Sequence, residues 1–183
     1  MELRTAYGLF EGRESSGNGF LPIIDLVRQK YPWIKTPIHQ ENDDILGAVR
    51  QSIAAGEGGG PNIWLGHSFG VAEMVRTARK LARDGYIIHH FIMVDGVTDI
   101  FRLQFKFNNW RLPMDVVLKA TCFYQKNQRY PDSSILLDAD DVLLTNVDLT
   151  GLGVDHCTIC ASDRVSAAVL GSVANFARIA RAA

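Results

Sequence analysis

Short apolar runs recur along this chain, and most are followed by a stretch with helical spacing. Residues 3–10, 62–65, 86–94, 116–124 and 142–149 are runs of this kind, and residues 33–39 read as a further strand. Between them, Phe20, Leu21, Ile23, Ile24 and Val27 recur with a helical period over residues 20–30. Residues 41–55, 71–83 and 162–180 read as three more helices. Glu41, Asn42, Asp43 and Asp44 suit the positive start of the second helix, and Ser162 suits the N-cap of the last, with Asp163 behind it. Strands alternating with helices in this way form a mostly parallel sheet covered on both faces, and strands without polar alternation fit burial from two sides. A chain of 183 residues is enough for one such domain, over residues 1–183, and hardly enough for two.

Composition narrows the partners. The formal net charge is -1, which gives no electrostatic footprint for nucleic acid or an anionic membrane. No run approaches the roughly 18 apolar residues of a spanning helix. The opening residues, MELRTAYGLF, lack the apolar core of a signal peptide. Three cysteines, Cys122, Cys157 and Cys160, make an odd set that suits a reducing compartment. The expectation is a cytoplasmic protein with no membrane or nucleic-acid partner.

One stretch carries chemistry. In WLGHSFGVAE an apolar run stops at Gly66-His67-Ser68-Phe69-Gly70 and resumes as a helix. This is the G-x-S-x-G pattern in the strand-before, helix-after setting that it requires. A sharp strand-to-helix turn holds the serine hydroxyl clear of the sheet, and glycines two positions to either side let the backbone close. The helix start aims N–H groups at any oxyanion formed there, with Phe69 the natural first donor.

On these residues the sequence resembles the α/β-hydrolase family in its small, lipase- or esterase-like form, from about residue 3 to residue 180. The resemblance implies a three-layer α/β/α sandwich, here without the antiparallel strands that usually begin the family. It also implies a Ser–acid–His triad in that chain order, a backbone oxyanion hole, and no metal or organic cofactor. Of the five histidines, His39, His67, His89, His90 and His156, only His156 follows the acid and sits in a loop before the last helix. His67 reads as packed, His89 and His90 as core or edge histidines, and His39 as the end of a strand.

The usual place for the acid is after the run ending near Tyr124, but YQKNQRYPDSS has no aspartate until Asp132. Asp95, ending the strand after the serine's helix and followed by Gly96, is the preferred acid, with Asp132 the alternative. Asp138, Asp140 and Asp141 read as a solvated turn, and Asp155 serves only if its loop folds back. The second oxyanion donor would come from FEGRESSGNG, at Gly12 or Arg13, although the family often has His-Gly there.

Other signals are weaker. GEGGGPN lacks the ending of a phosphate-binding loop and precedes a strand. CTIC lacks the second pair a metal site wants. Phe101, Leu103, Phe105 and Phe107 alternate with polar residues, as an acyl-binding wall, a homodimer edge or plain core packing would. The expected function is hydrolysis of a carboxylic ester through an acyl-enzyme. The alternatives are a thioesterase, amidase or acyltransferase with the same triad, or a non-catalytic binding protein of this fold.

Overall fold

Six strands lie side by side in one sheet, and every neighbouring pair is parallel. The computed structural model describes residues 1–7, 19–40, 43–57, 60–96, 112, 116–126 and 143–182. Within these, the strands are β1 (Glu2–Tyr7), β2 (Ile38–Gln40), β3 (Asn62–His67), β4 (His90–Val94), β5 (Ala120–Tyr124) and β6 (Leu144–Asp148). Their spatial order is β2-β1-β3-β4-β5-β6. The helices are α1 (Leu21–Lys30), α2 (Ile45–Ala54), α3 (Phe69–Leu81) and α4 (Asp163–Ala182).

Alternate strand residues supply two separate cores. On one face Leu3, Ile63, Leu65, Ile92, Val94 and Phe123 meet Ile23, Ile24 and Val27 of α1 and Val165, Val169 and Val173 of α4. On the other, Trp64, Phe91, Met93, Ala120 and Cys122 meet Ile45 and Val49 of α2 and the apolar side of α3, from Val71 to Leu81. Every residue of β3, β4 and β5 is buried, which is why these strands read as continuous apolar runs. The expected α/β architecture is present, with helices on both faces of the sheet.

The element boundaries differ from the sequence expectation for identifiable reasons. The strand expected at 33–39 is confined to β2, because the chain first closes a turn in which the Ile34 N–H donates to the Tyr31 carbonyl at 2.9 Å. In the run 86–94, only β4 forms a named strand. Before it, the Asn62 side chain takes up the Ile87 carbonyl at 2.7 Å. Asp44 does not lie inside α2. It caps the helix, accepting from the Gly47 N–H at 2.8 Å. Ser162 does cap α4, with its hydroxyl accepting from the Val165 N–H at 3.4 Å. The alternating Phe101–Phe107 stretch and the Asp138, Asp140 and Asp141 cluster lie outside the described residues. Among the described residues, no helix is long and apolar enough to cross a membrane.

His90, at the start of β4, fits its reading as a core histidine. Its ring lies 2.8 Å from the Ser172 hydroxyl of α4 and 2.9 Å from the Thr121 hydroxyl of β5. Burial, with a further push from Lys119, lowers its pKa to about 4. The unfolded chain therefore takes up this proton first as pH falls from about 6.5, so the stability present above that value drains away toward pH 4. Each such proton contributes a slope of ~1.4 kcal/mol per pH unit. His90→Gln should flatten the fall in unfolding free energy between these pH values by about one proton's worth, measured by urea titration. An unchanged slope would refute the assignment.

Candidate active site

The turn between β3 and α3 is built by what its two glycines touch. A Cβ on Gly70 would stand 2.4 Å from the backbone carbonyl of Ala6 in β1, and one on Gly66 would stand 3.1 Å from the Cα of Val71. Only glycine at 70 lets the first turn of α3 settle against the end of β1. The chain then passes through Ser68 with φ +53° and ψ -131°. Ser68 and Asp95, at φ +44°, are the two non-glycine residues with positive φ among those described. Such backbone costs about 1–3 kcal/mol and persists where the surroundings dictate it. Both residues stand immediately after the ends of adjacent parallel strands, β3 and β4, on the side of the sheet where open α/β folds bind ligands.

His156 joins the two. Its Nδ1 lies 2.8 Å from Asp95 Oδ2 and its Nε2 lies 2.9 Å from Ser68 Oγ. A carboxylate only accepts, so Nδ1–H donates to Asp95, and the neutral ring's Nε2 accepts from the Ser68 hydroxyl. This is the hydrogen-bonding order of a nucleophile, its base and the group that orients the base. Asp95 is fully buried, while the His156 side chain keeps 15% of its surface. Ser68 is buried although its turn follows the end of β3. It is 2% accessible, with the His156 ring bonded to its hydroxyl.

His156 rides on a turn that Asp155 organises. Asp155 Oδ1 accepts from the backbone N–H groups of Cys157 and Thr158, at 2.9 and 2.8 Å, and from the Thr158 hydroxyl at 2.8 Å. These bonds hold its carboxyl below the usual range. The acid adjacent in sequence thus shapes the loop, and the acid 61 positions away takes the imidazole.

His67 is packed, as expected, and also does something the sequence did not reveal. It is fully buried, with Phe20 edge-on at 6.1 Å and the His156 ring at 4.7 Å. Its Nε2–H donates to the His156 carbonyl at 2.9 Å. Burial first, then the neighbouring His156, pushes its pKa down to about 3. A permanently neutral ring can support His156 without repelling the imidazolium that forms when His156 accepts a proton.

A second residue escaped the sequence reading. Gln125, fully buried after β5, donates its side-chain N–H to Asp95 Oδ2 at 2.9 Å. The thiols around Asp95 are not competing nucleophiles. Burial, aided by the Asp95 charge, pushes Cys122 up to about 12 and Cys160 well above its ordinary value. Both therefore stay protonated at neutral pH. Phe69 is the first residue of α3, which places its N–H at the positive end of the helix. Gly12, Arg13 and the alternative acid Asp132 lie outside the described residues. His39 stands apart, 2.6 Å from Arg4 Nη1. Among the described residues, no group of three or more His, Cys, Asp or Glu is placed to hold a metal ion. In comparison with known proteins, no family model and no curated protein matches the chain.

Three substitutions test the turn between β3 and α3. Ser68→Gly should unfold at higher urea than Ser68→Ala, by about 1 kcal/mol, because glycine accepts positive φ and alanine does not. Gly70→Ala should lower stability by about 1–3 kcal/mol through overpacking against Ala6. Equal midpoints for the first pair, or an unaffected second variant, would contradict the described backbone.

Proposed function

We propose that this protein is a serine hydrolase of the α/β-hydrolase type, cleaving carboxylic esters through Ser68, His156 and Asp95. The observation that carries the reading is the unbroken pair of hydrogen bonds from Ser68 Oγ through His156 to Asp95 Oδ2, at 2.9 and 2.8 Å. It begins at a strained turn whose sequence has the form G-x-S-x-G.

In this mechanism Ser68 Oγ attacks the acyl carbonyl while its proton passes to His156 Nε2. Asp95 holds the ring in the tautomer that can accept that proton and stabilises the resulting imidazolium. The tetrahedral oxyanion forms over the start of α3, where the Phe69 N–H is the first donor; Gly12 or Arg13, both outside the described residues, is the second donor in this proposal. Collapse of the intermediate breaks the ester C–O bond, and His156 returns its proton to the departing alkoxide, releasing the alcohol. Water, deprotonated by His156, then attacks the acyl carbonyl, and as the Oγ–acyl bond breaks His156 returns that proton to Ser68 Oγ, freeing the acid and restoring the enzyme. The pieces named need neither metal nor organic cofactor.

Wild-type protein should hydrolyse p-nitrophenyl acetate and take a fluorophosphonate label. Ser68→Ala should lose both, and His156→Ala should lose nearly all turnover, the double variant being little worse than either because the residues act as a unit. Asp95→Asn should lower kcat by about 10³–10⁴-fold, whereas Asp132→Asn should leave it unchanged. Labelling that survives in Ser68→Ala would overturn the reading. Rates on acyl-CoA and anilide substrates separate an esterase from a thioesterase, acyltransferase or amidase. A wild type inert to ester and probe alike points to a binding protein of this fold.

A further inference from the structure

We propose that Gln125 is a positioning residue for the Ser68–His156–Asp95 relay, holding the Asp95 carboxylate in the orientation that faces His156; this rests on the hydrolase reading above. Three adjacent strands, β3, β4 and β5, each deliver the residue that follows their last one: Ser68, Asp95 and Gln125. The strand pairing fixes how the last two meet. Val94 is in register with Phe123, and the Asp95 N–H donates to the Phe123 carbonyl at 2.8 Å. From these backbones the Gln125 side-chain N–H reaches Asp95 Oδ2 at 2.9 Å, the same oxygen that receives His156 Nδ1–H at 2.8 Å.

A fully buried carboxylate must be met by donors, because desolvation otherwise costs more than its packing returns. His156 is one donor, but its ring must also respond to Ser68 and cannot alone fix the rotation of the Asp95 side chain. Gln125 is fully buried as well, so solubility does not account for an amide at this position. The chemistry suits the task. A cation here would draw the carboxylate away from the imidazolium, and a second carboxylate would repel Asp95. A neutral amide directs one oxygen without changing the local charge. It stands where the family resemblance looked for the acid itself, directly after the run ending at Tyr124.

The test uses Gln125→Met, which keeps the volume and removes the donor, with Gln125→Leu as a second shape should the first fail to fold. Proton NMR follows the low-field resonance of His156 Nδ1–H, identified by its absence from His156→Ala. In a folded variant this resonance should move or broaden through exchange with water, while kcat on p-nitrophenyl acetate falls about 10- to 100-fold at unchanged KM, the worth of one hydrogen bond to a charged group. A resonance of unaltered frequency and width, with kcat intact, overturns the proposal even if the melting temperature drops, since that pattern marks a purely structural residue. If the wild type neither turns over ester nor takes the fluorophosphonate, the hydrolase reading fails. The resonance still decides whether Gln125 orients Asp95.

Discussion

The close approach of α3 to the end of β1 is the contact on which the site depends. At Gly70 the helix backbone presses against Ala6, at a distance where any side chain would collide. That approach drives the preceding residue pair into a tight reversal and leaves Ser68 on positive-φ backbone. Val71, one residue further on, wedges between the two strand ends. Cβ atoms on Gly66 and Gly96 would come within 3.2 and 2.9 Å of its side chain. The bareness of Gly96 therefore lets β4 leave the sheet beside α3, and it sets where Asp95, just before it, can stand.

Burial then dictates the chemistry. Asp95 sits at 0% exposure, and a charge there is tolerable only with well-directed donors around it. The imidazole of His156 and the amide of Gln125 converge on one of its oxygens. Among the described residues, three titratable neighbours are held uncharged by the same desolvation: His67 as a neutral ring and Cys122 and Cys160 as thiols. A proton arriving on His156 Nε2 is thus faced across the ring by the Asp95 carboxylate, which takes Nδ1–H at 2.8 Å. The loop that brings His156 is stiffened independently, by Asp155 closing its own turn and by His67 holding the carbonyl of His156 from below.

Much of this was legible along the chain. The β3–α3 turn was readable because its signals are local: two glycines, a serine, an apolar run before and an amphipathic stretch after. His156 followed from chain order and its loop before α4. The preference for Asp95 over Asp132 rests on its place at the end of a buried strand, before a glycine that permits a sharp exit, and Asp95 lies against His156. Some boundaries were less visible. Tyr86–His89 looks like strand by composition, yet the Asn62 side chain takes a backbone carbonyl there and ladder pairing is limited to an isolated bridge at Ile88. Nothing in a run of apolar residues announces a side chain arriving from another strand.

The amino-acid sequence alone determined the alternation of elements, the parallel sheet and the serine turn, because their signals, hydrophobic periodicity and the glycine–serine spacing, lie between residues close in the chain. Tertiary structure alone decided that Gln125, an unremarkable polar residue at a strand's end, meets Asp95, and that His67 bonds the carbonyl of a residue 89 positions away. The first contact depends on the lateral order and register of β4 and β5, and the second on the loop before α4 settling beside the end of β3. That register is set by the packing of two cores at once, and no local pattern encodes it.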